Sequence, residues 1–284
     1  MGEPFTLPQR SVRVIGPAAL SPLGILRHLW DIPRYFDLLL TLSLHRIKVR
    51  YKQSILGLSW ALMQPLALML IYTVIFSVVT KMPGAGEAYP VFVFAALLPW
   101  LFFSTALTSA SNSLVSHQYL ITKVYFPREI LPITYLIAAF FDFLIASVLL
   151  GIMMAWYRIW PNEQALWVVL VMGVAVLFTV GLSLLLAALQ VSFRDIGLAL
   201  PLVLQIWMFG CPVVYPLSAV PAQYRGLYLL NPMVGVIENF RRTVLQGLPP
   251  DWASLSVACW VTVLLFPLAY GYFKYREATM ADVI

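Results

Sequence analysis

The sequence predicts an all-α integral membrane protein with six transmembrane helices, and three observations support this fold class. First, 61% of the 284 residues are hydrophobic and only 11% are charged, whereas soluble domains average about 25% charged residues. Second, the mean hydropathy is +0.87. Third, six segments have the roughly 20 mostly apolar residues that a helix needs to cross a bilayer. Runs of this length are too long for barrel strands, so each span is expected to be helical.

The six predicted spans define the domain organisation. In order, they cover residues 58–80, 90–110, 130–156, 165–190, 196–215 and 252–273. The fifth contains Pro201 and is the least regular of the six. Residues 1–57 are expected to form a cytoplasmic N-terminal segment, residues 58–276 a six-helix transmembrane domain, and residues 277–284 a cytoplasmic tail.

Basic residues set the expected orientation of the chain. About 13 of the 18 Lys and Arg residues fall in the N-terminal segment, in the loops after the second and fourth spans, and at the C-terminus. Because Lys and Arg are enriched in loops that remain in the cytoplasm, both termini are predicted to be cytoplasmic. An even number of spans agrees with this. The chain is therefore expected to be a multi-pass protein of the bacterial inner membrane.

Two segments outside the spans are predicted to lie at the membrane surfaces. Residues 23–53 mix apolar side chains with a cluster of basic ones. This pattern is typical of an amphipathic interfacial helix whose apolar face lies in lipid and whose basic face meets anionic headgroups. Residues 217–250 are too polar to span and too apolar for a free loop. They are predicted to form short re-entrant helices between the fifth and sixth spans.

Sequence motifs typical of enzyme active sites are absent from the chain. No Gly-x-x-x-x-Gly-Lys-Ser/Thr sequence occurs, so the phosphate-binding loop of an ATPase is absent. His28, His45 and His117 lack the spacing of a zinc site. No pair of close carboxylates flanks a recognisable cleft. The sequence therefore predicts a chain that is not an enzyme and that holds no cofactor or metal of its own.

Asp142 lies inside the third predicted span. An intramembrane carboxylate is costly and often functional. A hydrogen bond to a Ser, Thr or Tyr of a neighbouring helix, or contact with a water-filled cavity, would also account for it. Its role stays open at this point, because no chain of similar groups accompanies it.

Aromatic side chains within two spans are candidates for contact with sugar rings. Tyr72 and Phe76 are four residues apart and share one face of the first span. Trp207 and Phe209 lie in the fifth span. Aromatic faces can stack on the apolar faces of sugars, but from the residues alone ordinary packing or lipid contact is the simpler explanation.

Several motifs, taken in order, resemble one transporter family. They are RYKQSILGLSWALMQP at residues 50–65, LLPWLFF at 97–103, KVYFPREILP at 123–132, FRD at 193–195, and Pro216, Tyr224, Asn231 and Pro232 further on. Over about residues 30–276 the chain resembles the membrane subunits of type-2 ATP-binding-cassette (ABC) exporters, specifically those that export O-antigen, capsule or teichoic-acid glycans. Members closer to the capsule exporters often carry Glu where this chain has Gln64.

This resemblance implies a complex and a cargo. Two copies of the subunit would assemble with two copies of a separate ATPase that binds ATP and Mg²⁺. The cargo would be a polysaccharide linked to polyprenyl pyrophosphate, most simply O-antigen. Membrane and lipid-linked glycan would be the other partners, and nucleic acid would not be one.

The resemblance also assigns candidate residues. The pyrophosphate would bind at the cytoplasmic entrance to Arg46, Lys48, Arg50 and Lys52, through charge-assisted contacts. These four residues also satisfy the positive-inside rule without any ligand. Tyr72, Phe76, Trp207 and Phe209 would line the channel at the subunit interface. The segment that couples to the ATPase would include His117, Lys123, Tyr125, Arg128 and Glu129, and residues 217–250 would gate the exit.

Three other functions remain as alternatives. The chain could export capsule, teichoic acid or another amphiphile. It could be a membrane-embedded enzyme of glycan or lipid assembly, which would require clustered acids or bases. It could also be a proton-coupled transporter, which usually has internal repeats and several intramembrane charges. A neighbouring gene for an ATPase would separate the exporters from the other two classes.

Overall fold

The computed structural model of the chain describes residues 32–52, 54, 56–79, 88–124 and 126–280, and the side chains of residues 78 and 79 are not included. Within these ranges every regular element is a helix. The predicted interfacial residues 23–31 and 53, the end of the first predicted span at residue 80, the coupling candidate Tyr125 and the tail 281–284 lie outside the described residues.

The helices follow the predicted spans closely. The α-helices are α1 (Phe36–Lys52), α2 (Trp60–Tyr72), α3 (Tyr89–Ser111), α4 (Ser113–Ser116), α5 (Gln118–Lys123), α6 (Ile130–Trp156), α7 (Val168–Ser192), α8 (Asp195–Phe209), α9 (Ala222–Leu229), α10 (Pro232–Val244) and α11 (Trp252–Glu277). Short 3-10 turns cover Ile32–Tyr35, Gly57–Ser59, Glu163–Trp167 and Leu217–Ala219, and a π-helical turn, Thr73–Val79, extends α2.

Helix α3 forms the centre of the bundle. Seventeen of its 23 residues are buried, and it packs against α2, α6, α7, α8 and α10. Its sequence carries no charge, which permits burial on all sides. Helix α11 packs mainly on α7 and α10, and α1 packs on α6. By contrast, α2 buries only two residues and α8 only three, so these two helices lie at the margin of the bundle.

The two ends of the bundle differ in charge. One end carries the Ile32–Tyr35 turn, α1, α4, α5, the residues around the start of α6, the junction of α7 and α8, and the end of α11, and we call it the basic end. Ten of the 14 described Lys and Arg residues belong to it. Contacts such as Gln190 to Asn112 and Arg276 to Ser192 hold its parts together. At the opposite end, Trp167 meets Trp252 and Asn162 donates to the Gly247 carbonyl. The concentration of Lys and Arg at one end of the bundle is what the predicted topology requires.

Five of the six predicted spans are long enough to cross a membrane by length and composition. Within the described residues they are Gly57–Ser77, Tyr89–Ser111, Ile130–Trp156, Glu163–Ser192 and Trp252–Glu277. Helix α8, in the fifth predicted span, has 15 residues. It is therefore about 22 Å long, shorter than the hydrocarbon core of about 30 Å. The count of six spans thus stays a prediction.

Contacts at both ends of this segment support a sixth crossing. At the basic end, Gly197 lies so close to Gln190 that an added Cβ would be 2.7 Å from the Gln190 Nε2 atom. At the opposite end, Tyr89 donates a hydrogen bond of 2.6 Å to the Val214 carbonyl. Tyr89 is the first residue of α3 and Asn112 follows its last. Residues 195–214 therefore extend about as far along the bundle as α3 does.

Short helices do occur between residues 217 and 250, as predicted, although their re-entrant placement in a leaflet remains untested. Helix α10 is the larger, and ten of its 13 residues are buried. Asn239 donates to Ser254 Oγ at 3.0 Å and accepts from the Asp251 amide at 2.6 Å. At Gly235 an added Cβ would lie 2.8 Å from the Ser254 carbonyl oxygen. A glycine is needed there because α10 and α11 cross so closely.

Candidate functional site

Helix α1 presents three distinct faces, because residues three and four apart share one side of a helix. Leu38, Leu39 and Leu42 pack on a protein cluster that includes Leu114 and Ile121. Part of the apolar surface of α1 therefore covers protein, and the expected contact of its apolar face with lipid stays a prediction. A second stripe of Phe36, Leu40 and Leu44 is exposed. The third face is polar, and Lys48 and Lys52 are exposed on it.

The four predicted entrance cations divide into two pairs. Arg46 and Arg50 are four residues apart, and both side chains contact other parts of the protein. Lys48 and Lys52 are also four residues apart and project from roughly the opposite side of α1. Their side chains are exposed. The two pairs therefore differ in their contacts: both arginines are engaged within the protein, although Arg50 is also exposed, and the lysines project from the other side of α1.

Arg46 connects α1 to the segment that precedes α5. Its guanidinium donates to His117 Nε2 and lies 4.3 Å from the centre of the Tyr135 ring. The other ring nitrogen of His117, Nδ1, lies 2.8 Å from the Ser113 carbonyl and donates to it. Burial lowers the pKa of His117 below its usual value, and the Arg46 charge acts in the same direction. A neutral imidazole with its proton on Nδ1 satisfies both contacts.

Arg50 and its neighbour Tyr51 connect α1 to the middle of α6. The Arg50 guanidinium and the Tyr51 hydroxyl both donate to the Asp142 carboxylate. A tyrosine partner for Asp142 was among the expectations from sequence, whereas the arginine was not. This intramembrane carboxylate is thus paired and hydrogen-bonded, which is what burial of such a group requires.

The predicted coupling segment has an exposed tip. Helices α4 and α5 follow α3 after short turns. Lys123 is exposed, and its Nζ atom lies 4.6 Å from the centre of the exposed Tyr119 ring. Val124 is exposed as well. Residues 119–124 therefore form the part of this segment that a partner protein could touch.

Arg128 and Glu129 lie instead inside an ionic network with the end of α11. Glu129 is only 1% exposed, and its carboxylate accepts from Lys274 Nζ at 2.8 Å and from the Tyr270 hydroxyl at 3.3 Å. Lys274 also bonds Glu277 at 2.9 Å, and the Arg128 amide donates to the Glu277 carboxylate at 3.1 Å. Both residues therefore anchor the coupling segment to α11, and Glu129 presents no surface to a partner.

The four predicted channel aromatics do not form one cluster. Tyr72 and Phe76 meet edge to face with ring centres 6.3 Å apart, and the Tyr72 hydroxyl lies 3.5 Å from the Met208 sulfur. Trp207 points into the bundle and packs against Phe103 at 5.3 Å. Phe209 is exposed at the end of α8. The structure thus brings Tyr72 into contact with α8, and Trp207 packs in the core.

A polar groove of about 430 Å³ crosses α3 between α2 and α8. Its hydrogen-bonding side chains are Gln64, Ser104, Thr105, Thr108, Ser109 and Gln205, and Trp100 adds an aromatic wall. The sequence analysis did not select these residues. The spacing of the hydroxyls at 104, 105, 108 and 109 places them on one face of a helix, and this signal in an otherwise apolar span could have revealed the groove.

The two helices that border this groove also expose apolar side chains. On α2, Leu70 is 60% exposed, and on α8, Ile206 is 66% exposed. The groove is thus a strip of amides and hydroxyls between two helices that carry exposed apolar side chains. In the residues that the structure describes, no group of three or more His, Cys, Asp or Glu side chains could hold a metal ion.

Comparisons with known proteins agree with one another. The family model described as ABC-2 type transporter matches residues 37–245. An O-antigen export system permease protein, RfbA, of Myxococcus xanthus is 31% identical over 262 residues, which cover 92% of this chain and 100% of that protein. The RfbA protein of Klebsiella pneumoniae is 25% identical over 90% of this chain and 98% of its own length. The polysialic acid transport protein KpsM of Escherichia coli is 26% identical over 84% of this chain and 93% of its own length.

Proposed function

Because this chain belongs to the ABC-2 type transporter family, we propose that it is the membrane subunit of an ATP-driven exporter for O-antigen linked to polyprenyl pyrophosphate. The polar groove is the observation that carries this proposal. Hydroxyls and side-chain amides can exchange hydrogen bonds with the hydroxyls of a moving glycan. A hydrophobic cargo alone would not need them. The relatives named for O-antigen export match almost their whole length, which favours the same cargo class.

Two copies of the subunit form the exporter. Gln64 and Gln205 line the groove and are exposed, and lipid offers no hydrogen-bond partner to such groups. A second copy that covers the groove would shield its amides and hydroxyls and would bury exposed apolar side chains of α2 and α8. The enclosed space would then be lined by polar groups, as a glycan channel requires.

The energy source is a separate ATPase, present in two copies that bind ATP and Mg²⁺. It docks on the exposed tip at residues 119–124. Motion at this tip reaches α11 through Glu129 and Lys274, and reaches α1 through His117 and Arg46. The pyrophosphate of the cargo enters beside Lys48 and Lys52, the exposed cations of α1.

The subunit resides in the inner membrane with both termini in the cytoplasm. The excess of Lys and Arg at the basic end supports this orientation. Reporter fusions test it: alkaline phosphatase fused within residues 158–162 should be active, and the same enzyme fused after Thr279 should be inactive. The reverse pattern would invert the topology.

Deletion of the gene tests the proposed function. We expect surface polysaccharide to disappear while polyprenyl-linked polymer accumulates inside the cell, and we expect a plasmid copy to restore both. If no lipid-linked polymer forms at all, the protein acts in synthesis rather than export. If neither pool changes, the cargo is another amphiphile.

Capsule export is the second candidate. The similarity to KpsM, which is named for polysialic acid transport, favours it. Chemical analysis of the polymer that accumulates in the deletion strain would distinguish the two, because O-antigen and capsule repeats differ in composition.

A further inference from the structure

A second polar space adjoins the groove. This cavity has a volume of about 330 Å³ and lies between the start of α2, α3 and α6, next to the end of α1. Gln64 and Thr105 line both the cavity and the groove. The two spaces are thus neighbours that share a wall of one amide and one hydroxyl. The volume is at the lower end of the range for small-ligand pockets, about 300–1,000 Å³.

The polar side chains in the cavity combine donors, acceptors and an aromatic face. Its polar groups are Arg50, Tyr51, Gln64, Thr105 and Asp142. Trp60 lines the cavity and is 54% exposed, so part of its ring is available for stacking. Phe102 and Phe143 supply apolar walls. A sugar ring has one apolar face and several hydroxyls that both donate and accept, which matches this lining.

The charge balance of the cavity favours a neutral polyol over a phosphate. Asp142 and Arg50 form an ion pair there, so the cavity has no excess positive charge. A diphosphate would be repelled by the Asp142 carboxylate. A sugar hydroxyl can donate to a free lone pair of Asp142 while a second hydroxyl accepts from a free N–H of Arg50. The uncompensated cations Lys48 and Lys52 are placed outside.

We propose that this cavity binds the sugar residue next to the pyrophosphate of the cargo, with Trp60 as stacking platform and Asp142 and Arg50 as hydroxyl partners. The inference rests on the proposed function and deepens it. The first sugar would sit in the cavity while the diphosphate remains outside it. The following sugars would continue past Gln64 and Thr105 into the groove.

The test compares two synthetic probes. One is a short-chain polyprenyl diphosphate, and the other is the same molecule carrying a single hexose. Binding of each is measured by calorimetry on the complex of this subunit and its ATPase in lipid nanodiscs. We expect the wild-type complex to bind the glycosylated probe about tenfold more tightly, as two charge-assisted hydrogen bonds would allow.

Two variants remove the sugar contacts in different ways. Trp60→Leu removes the stacking face. Arg50→Gln combined with Asp142→Asn removes both charges together, so that no unpaired charge is left. Each should reduce the preference for the glycosylated probe to threefold or less. Trp60→Leu, which removes no contact of α1 with α6, should also leave binding of the bare probe within twofold of wild type. Ser147→Ala, also on α6 but outside the cavity, is the control and should keep the tenfold preference.

The remaining outcomes contradict the inference in distinct ways. Equal weakening of both probes would assign the cavity to the diphosphate or to a lipid headgroup. No change in any variant would make the Arg50–Asp142 pair purely structural. If the deletion strain shows the export defect and yet the wild-type complex does not distinguish the probes, the cavity inference fails while the proposed function stands. If there is no export defect, both fail.

Discussion

Side chains that look equivalent in the sequence have different tasks in the structure. Arg46 and Arg50 are held by His117 and Asp142, whereas Lys48 and Lys52 are exposed. Helical periodicity alone separates the two pairs, because residues two apart point to opposite sides. The arginines therefore position α1, and the lysines are available to an anionic headgroup.

Replacing Lys48 and Lys52 together by Gln should reduce export at least fivefold, because two charge-assisted contacts to the pyrophosphate are lost. The amount of protein in the membrane should not change. Surface polysaccharide and total subunit are measured in the deletion strain that carries each variant. Changing both lysines to Arg is the matched control and should keep most of the activity. Normal export by the Gln variant would show that the lysines serve topology only.

His117 should make stability depend on pH. Its pKa is lowered from the ordinary value of 6.5 by burial and by Arg46. A lowered pKa means that the unfolded chain binds the proton more readily, so the contribution is full above about pH 6.5 and is lost as pH falls toward the lowered value. Thermal unfolding between pH 7.5 and 5.5 should show a larger decrease in Tm for wild type than for His117→Gln. Identical decreases would mean that His117 titrates as it does in the unfolded chain.

At the scale of elements, the coupling segment and α11 are joined by a buried ion pair. Glu129 and Lys274 are both nearly inaccessible to solvent. Removing one member of such a pair leaves an uncompensated buried charge, which costs about 3–5 kcal/mol. Because separating the pair is this costly, the coupling segment and α11 should move together.

Glu129→Leu should therefore destabilise the subunit strongly, and adding Lys274→Met should restore much of the stability, because both buried charges are then gone. Unfolding in detergent, followed by tryptophan fluorescence, measures both. We expect export to stay low in the double variant, since the apolar pair lacks the links to Tyr270 and Glu277. A double variant that is fully active would separate stability from coupling and disprove the ionic link.

The sequence predicted the long apolar helices well, and it predicted the ends of irregular helices less well. Long apolar runs such as residues 130–156 leave no alternative to a spanning helix, and α6 has these same bounds. Helix α8 was predicted to reach Tyr215 but ends at Phe209, where Gly210 and Pro212 follow. Apolar composition continues beyond that point, so hydropathy could not show the end of the helix.

Contacts between distant residues were the part that sequence could not supply. The pairing of Arg46 with His117 joins residues 71 positions apart, and no local pattern indicates it. The same holds for Glu129, which reads as a polar loop residue until its neighbour Lys274 is placed 145 positions later. The groove was partly visible in the hydroxyl spacing of α3, but its second wall comes from α8.

At the scale of the whole molecule, α2 and α8 are the least buried of the long apolar helices and border the same polar groove. A cysteine at Leu70 or Ile206 should form a disulfide between two copies under mild oxidation, if the copies meet across the groove. Cys211 and Cys259 are first replaced by Ala, since both are free. Non-reducing electrophoresis detects the dimer.

A cysteine at Leu144 is the matched control for this experiment. Leu144 is also exposed, but it lies on α6 and lines a different, apolar space between α6 and α7. It should give no dimer. Cross-linking at Leu144 with none at Leu70 or Ile206 would place the second copy on the wrong side of the bundle for our proposal.

The uncovered amides of Gln64 and Gln205 also bear on how the protein is made. A newly inserted copy exposes them to hydrocarbon, where no partner is available and each unsatisfied group costs several kcal/mol. A single copy is therefore energetically unfavourable in the bilayer as soon as it is inserted. In the proposed dimer, pairing during or directly after biosynthesis would relieve this, whereas an orphan copy would be a target for membrane proteases. The polar strip that would guide a glycan would thus also act as the signal that assembly is incomplete.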